Sequence, residues 1–128
     1  MNRIILDASA ILAVIHQESG YEKLTPDLLA RAVASTVNLA EVQSKLVSRG
    51  WTSTEAWEDA TSPIQEMVPF DHEHAKAAGD LITQTRKLGL SLGDRACLAL
   101  GMALKAPIYT SERAWKNLRL DVPIYVIR

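Results

Sequence analysis

Arg3-Ile4-Ile5-Leu6-Asp7-Ala8-Ser9-Ala10, continued by Ile11-Leu12-Ala13-Val14-Ile15, is the stretch whose reading decides the fold. A short apolar run with β-branched residues predicts a buried strand, and an acid followed by small residues and a second apolar run predicts a helix that begins at once. Asp7 therefore stands at the carboxyl end of a strand. In open α/β sheets that edge is where ligands bind, because its loops form a crevice lined by helix N-termini. What matters in the remaining residues is whether other acids reach the same edge.

Four further strands are expected, at 32–36, 67–70, 107–109 and 122–127. Pro69 has no N–H to give to a ladder, so the strand at 67–70 belongs at an edge. Between them the helical spacing of Leu39, Val42, Leu46 and Val47 predicts a helix from Asn38 to the glycine stop at Gly50. Pro26 fits the first turn of a short helix, and Thr52-Ser53-Thr54 opens one that carries Trp57. Asp71 opens another, with Ala75, Ala78, Leu81 and Ile82 as its apolar stripe, running to Gly89. The helix after Ser91 is apolar nearly all round, which makes it central and close-packed. Thr110-Ser111-Glu112 opens a short helix through Trp115 and Leu118. Strands alternating with helices imply a three-layer α/β/α domain around a parallel sheet of four to five strands, with every strand-to-helix junction on one side of the sheet.

The totals narrow the class. At 128 residues the chain is the size of one domain, 1–128, able to bury roughly two-thirds of its unfolded surface. Lys and Arg total 14 against 15 Asp and Glu, for a formal net charge of −1, so no overall basic surface advertises nucleic acid or a membrane. An anionic partner has to be held by local arrangements. Cys97 is the sole cysteine and has no internal disulfide partner, which fits a reducing compartment. The N-terminus enters a strand directly, with neither a secretory signal nor a membrane span expected, and the chain reads as soluble and cytoplasmic.

Four junctions carry an acid: Asp7, Glu41, Asp94 and Glu112. Capping explains any one of them taken singly. Asn38-Leu39-Ala40-Glu41 and Ser91-Leu92-Gly93-Asp94 both read as capping boxes, Asp7 as a helix N-cap, and Glu112 as a first-turn acid favoured by the helix dipole. Capping does not predict that all four share one crevice. Carboxylates held close together repel, and they either take up protons or recruit a cation. An all-oxygen set suits a hard divalent ion that keeps several waters.

In order along the chain, Leu6-Asp7-Ala8-Ser9-Ala10, Asn38-Leu39-Ala40-Glu41-Val42, Leu90 to Ala99 around Gly93-Asp94-Arg95, and Tyr109-Thr110-Ser111-Glu112 resemble the acidic motifs of PIN-domain ribonucleases. Among these the chain is most similar to the VapC-type toxins of bacterial toxin–antitoxin pairs, and the similarity covers essentially its whole length. The resemblance implies Asp7, Glu41 and Asp94 as ligands of Mg²⁺ or Mn²⁺, with Ser9 and Thr110 as supporting hydroxyls and Glu112 as a fourth catalytic acid. The family usually has Asp where this chain has Glu112, one methylene longer. An ion so held lowers the pKa of a water and polarises a phosphodiester, and the expected reaction is hydrolysis of RNA to 5′-phosphate and 3′-hydroxyl ends. Arg95 and Arg113 adjoin the acids and are candidates for holding substrate phosphates, against the alternative of solvated surface charges. The resemblance also implies a cognate antitoxin and a homodimer as partners.

Other residues have plainer readings. His72 and His74 lie two apart, so they do not share a helix face and are not a metal pair. Cys97 is read as a small buried hydrophobe, His16 as a helix-end charge, and Trp115 as packing beneath the last strand. Trp51 and Trp57 mark a candidate dimer or antitoxin surface. Two alternatives compete with the nuclease: a catalytically inert PIN module that binds RNA or protein, and a phosphoacceptor signalling domain with Asp71 as acceptor. The second lacks both a paired acid after Asp7 and a late lysine.

Overall fold

The structure, a computed structural model, describes residues 2–128. Its strands are β1 (Ile4–Leu6), β2 (Ala32–Ser35), β3 (Glu66–Val68), β4 (Ile108–Thr110) and β5 (Ile124–Val126). The helices between them are α1 (Ala8–His16), α2 (Pro26–Leu29), α3 (Thr36–Ser48), α4 (Ser53–Thr61), α5 (His72–Asp80), α6 (Ile82–Thr85) and α7 (Leu92–Leu104). All strands pair in parallel, in the order β3-β2-β1-β4-β5. The expected three-layer α/β/α arrangement is therefore the one found, with five strands and with β3 at an edge.

Alternation along the buried strands builds two cores. Ile4, Leu6, Ala32 and Ala34 face α1, α3 and α4 and pack with Ile11, Leu39, Val42 and Leu46. Ile5, Val33 and Ile108 face the other way, onto Ala78 and Leu81 and onto Cys97, Leu98 and Leu100 of α7. Trp115 is buried in this second core, as its expected place beneath the last strand requires. Each large apolar side chain withdrawn from water contributes about 1.5–3 kcal/mol, so strands of three residues are held by the layers above and below them, not by their own ladders.

The order of strands fixes the site. From β1 the chain steps outward through α1 and α2 to β2 and through α3 and α4 to β3, then returns across the opposite face through α5–α7 to pair β4 with the free side of β1. The crevice between the carboxyl ends of β1 and β4 is the switch point at which open α/β sheets bind ligands. The same order removes the phosphoacceptor alternative. Asp71 follows edge strand β3, with β2 between it and β1, and its carboxylate caps α5 by accepting from the His74 backbone N–H.

Two helix boundaries depart from expectation. α3 begins at Thr36, capped by Ser35, so Asn38 lies inside the first turn and is no cap. The helix after Asp71 does not run unbroken to Gly89. It ends at Asp80 and continues as α6 and a 3₁₀ turn over Arg86–Leu88. Three of the four residues of α6 are β-branched, which costs side-chain freedom in a helix, and Thr85 turns its hydroxyl back onto the Leu81 carbonyl, a bond that competes with regular helix.

Candidate active site

Asp7 ends β1 and caps α1, and capping uses only part of it. One carboxylate oxygen, Oδ1, accepts from the Ala10 backbone N–H at 2.8 Å and from Ser9 Oγ at 2.7 Å. The other, Oδ2, accepts from Thr110 Oγ1 at 2.6 Å, across 103 residues of chain. Leu6 pairs with Tyr109 in the β1–β4 register, and that pairing sets Asp7 beside Thr110. Both hydroxyls are in turn fixed, Ser9 Oγ accepting from Ser111 N–H at 2.9 Å and Thr110 Oγ1 from Glu112 N–H at 3.0 Å. The two hydroxyl protons are thus committed to one carboxylate, which is 3 % exposed. Burial pushes Asp7 up to about 6, opposed by these three hydrogen bonds and assisted by the charge of Asp94.

Glu41 projects from α3 toward the first turn of α7. The Asn38 side-chain amide donates to Glu41 Oε1 at 2.8 Å and to the Gly93 carbonyl at 3.0 Å, tying the two helices together. The Asn38–Glu41 capping box expected from the sequence is therefore not what forms: Ser35 does the capping, and Asn38 grips the acid directly. Gly93 gives the carboxylate its space. A Cβ there would fall 2.5 Å from Glu41 Cδ and both of its oxygens, closer than any real contact.

Asp94 keeps its expected capping box, accepting from Ser91 N–H at 2.9 Å while its own N–H donates to Ser91 Oγ at 3.1 Å. Beyond that cap, its charge bears on Asp7. Cys97, one turn further into α7, feels the acids together: burial raises its thiol most, followed by the charges of Asp7, Asp94 and Glu41. Asp7, Asp94 and Glu41 thus come to the buried Cys97 from three different elements, each raising its thiol. Glu112 is exposed just past β4, at the N-terminus of a 3₁₀ helix over Arg113–Asn117, where a dipole-favoured acid belongs, and its side chain makes no capping hydrogen bond.

The arginines differ from one another. Arg95 donates through Nη1 to the Ala78 carbonyl at 3.0 Å, a bond from α7 to α5, so its guanidinium is engaged within the protein. Arg113 is exposed beside Glu112. His72 and His74 belong to α5, with His72 exposed and His74 partly buried. Residues 38 and 93 are the functional positions that sequence reading missed in this role. The only signal for them was an amide three residues before an acid, and a capping box gives the same signal.

Does this site suit a divalent cation? The ion pairs among the described residues, Arg3–Glu66, Arg31–Asp27 and Lys76–Asp80, leave Asp7, Glu41, Asp94 and Glu112 without a cationic partner. The donors are all oxygen. On the other side, no group of three or more His, Cys, Asp or Glu side chains among the described residues is gathered closely enough to hold an ion as it stands. A cation such as Mg²⁺, which is held by one or two carboxylates and otherwise by water, fits this looser arrangement better than one that demands a protein cage.

Comparison with known proteins bears on the same features. Curated proteins give no match. Among solved structures, DNA-bound VapBC from Salmonella typhimurium is similar over 100 % of both chains, with a TM-score of 0.76 at 13 % identity. VapBC2 from Rickettsia felis, bound to a promoter DNA fragment, is similar over 94 % of this chain and 96 % of its own, at 0.69 and 21 %. VapBC-5 from Mycobacterium tuberculosis covers 99 % and 100 %, at 0.65 and 19 %. These likenesses are of fold. The PIN domain model matches residues 4–119, from the start of β1 to beyond Glu112, and by that match the chain belongs to the PIN-domain family.

Proposed function

We propose that this chain is a VapC-type toxin, an endoribonuclease that hydrolyses RNA phosphodiester bonds with Mg²⁺ or Mn²⁺ and is neutralised by a cognate antitoxin. One observation carries the reading: Asp7, buried at the switch point of a PIN fold, receives three hydrogen bonds, and the Glu41 carboxylate lies against Gly93 next to Asp94, with no ion pair among the described residues to balance any of the three. Asp7, Glu41 and Asp94 would hold the cation between them, one or two directly and the rest through its waters, and the cation when bound would supply Lewis-acid polarisation of the phosphate and a water more easily deprotonated. The chain's own residues do the remainder. Ser9 and Thr110 hold Asp7 in one orientation, so both its oxygens stay aimed. Glu112, exposed just past β4, is the fourth acid that the resemblance assigns to catalysis, and Arg113 beside it, exposed and in no ion pair among the described residues, is the candidate for holding a phosphate. Arg95, bonded to Ala78, serves the α5–α7 packing in this reading.

The antitoxin partner is supported by the solved neighbours, several of which are toxin–antitoxin complexes. A homodimer remains the assembly expected from the resemblance. The test is cleavage of RNA in Mg²⁺ or Mn²⁺ by the wild type, Asp7→Asn and Asp94→Asn. Activity that falls at least a hundred-fold in either variant and is abolished by EDTA supports the nuclease. Binding of RNA without cutting in any metal would establish the inert module instead.

A further inference from the structure

We propose that Asn38 is a positioning residue for Glu41, its side-chain amide and the bare Cα of Gly93 together forming the seat that holds the Glu41 carboxylate at the cation site. This rests on the metal-dependent reading above and gives a role to two residues of its motifs that are not themselves acids.

The seat follows from geometry. Asn38 is 1 % exposed, and both bonds of its amide nitrogen go to acceptors, Glu41 Oε1 at 2.8 Å and Gly93 O at 3.0 Å. Exchanging the amide's oxygen and nitrogen would set an oxygen against two oxygens, so the orientation is unambiguous. Its own Oδ1 is buried without a partner among the described residues, and a buried acceptor left unpaired is a cost to the fold. A leucine of similar shape would fill the same space without that cost. The amide therefore makes sense as a grip and not as packing. Glu41 has three side-chain torsions, and holding such a chain in place is what an outer partner of a metal ligand contributes. Gly93 completes the seat, because any β-carbon would occupy the place of the carboxylate. Its carbonyl anchors the amide at the residue adjoining Asp94, so one side chain sets the spacing between two of the acids.

The test is Mn²⁺ binding by isothermal titration calorimetry on the purified, EDTA-stripped chain, with folding checked by circular dichroism. The wild type is expected to bind, and Asp7→Asn to lose binding. Asn38→Leu is expected to weaken Mn²⁺ about ten- to a hundred-fold, the usual cost of removing an outer partner. The decisive arm is Asn38→Leu in a Glu41→Ala background, where there is no carboxylate to position: there it is expected to cost nothing further. A purely structural role would cost the same in both backgrounds and would overturn the proposal. Should Asn38→Leu fail to fold, Gly93→Ala takes its place with the same two backgrounds and the same expectation. Undiminished Mn²⁺ affinity in Asn38→Leu rejects the positioning role while leaving the nuclease reading intact. A wild type that takes up no Mn²⁺ rejects the metal site and the proposal with it.

Discussion

Asp7 shows how a single residue serves two demands that conflict. As the cap of α1 it needs only one oxygen and gains from being charged; as a buried group it is penalised for that charge, and burial wins, lifting it to about 6. The sign of the pH dependence follows. With the folded value above the unfolded one, the metal-free folded state binds the extra proton between about pH 4 and pH 6, so stability falls as pH rises through that window and stays lower above it. In EDTA, Asp7→Asn is expected to be more stable than the wild type at pH 7.5, by on the order of 1–2 kcal/mol after the lost charge-assisted bonds are subtracted. That advantage should vanish near pH 4. Urea melts at the two pH values check it, and a gain of the same size at both would show that burial of the charge is not the cause.

At the level of the element, the glycines separate two kinds of position. Gly20, in the turn after α1, has φ +93°, and a Cβ there would run into the Ile127 carbonyl oxygen next to β5. The turn can adopt its shape and approach the last strand only without a side chain. Gly79, inside α5, has an ordinary φ and nothing within 4 Å of where its Cβ would be. Gly20→Ala is expected to destabilise the fold by at least about 2 kcal/mol, by backbone strain and by displacing the residues after β5. Gly79→Ala should stabilise it by about 0.5–1 kcal/mol through helix propensity. Denaturation midpoints of the two variants measured side by side decide the matter, and a neutral Gly20→Ala would mean the turn and the end of the chain do not pack as described.

Across the whole molecule, the proposed cation site ties cation binding to folding, because Asp7, Glu41 and Asp94 come together only once β1, α3 and α7 are in place. An ion that binds the folded state alone stabilises it by RT ln(1 + [L]/Kd), about 1.4 kcal/mol at ten times Kd. For a domain of this size that is a rise in Tm of about 5 °C. Mg²⁺ or Mn²⁺ should therefore raise the melting temperature of the wild type, and the response should disappear in Asp7→Asn. An equal rise in both proteins would place the ion elsewhere on the surface.

Much of this was legible along the chain. The apolar run before Asp7, the Ser91–Asp94 box, the edge position announced by Pro69 and the alternation of strands and helices are local patterns, written in residues a few positions apart, and the structure keeps them. The Asn38–Glu41 pair shows where local reading stops: Ser35, Thr36 and Asn38 are all residues that can cap, and only the end of β2 selects Ser35 and sends Asn38 into the interior. The Thr110 hydroxyl on Asp7 was implied only by resemblance, since its bond spans 103 residues and depends on a return crossover that brings β4 to the free side of β1. Sequence by itself determined which elements form and which acids stand at their ends, because propensity, periodicity and capping act over a few residues. Tertiary structure alone decided that Asn38 holds Glu41 against Gly93 and that two hydroxyls close on Asp7, because those contacts depend on which helix and strand become neighbours.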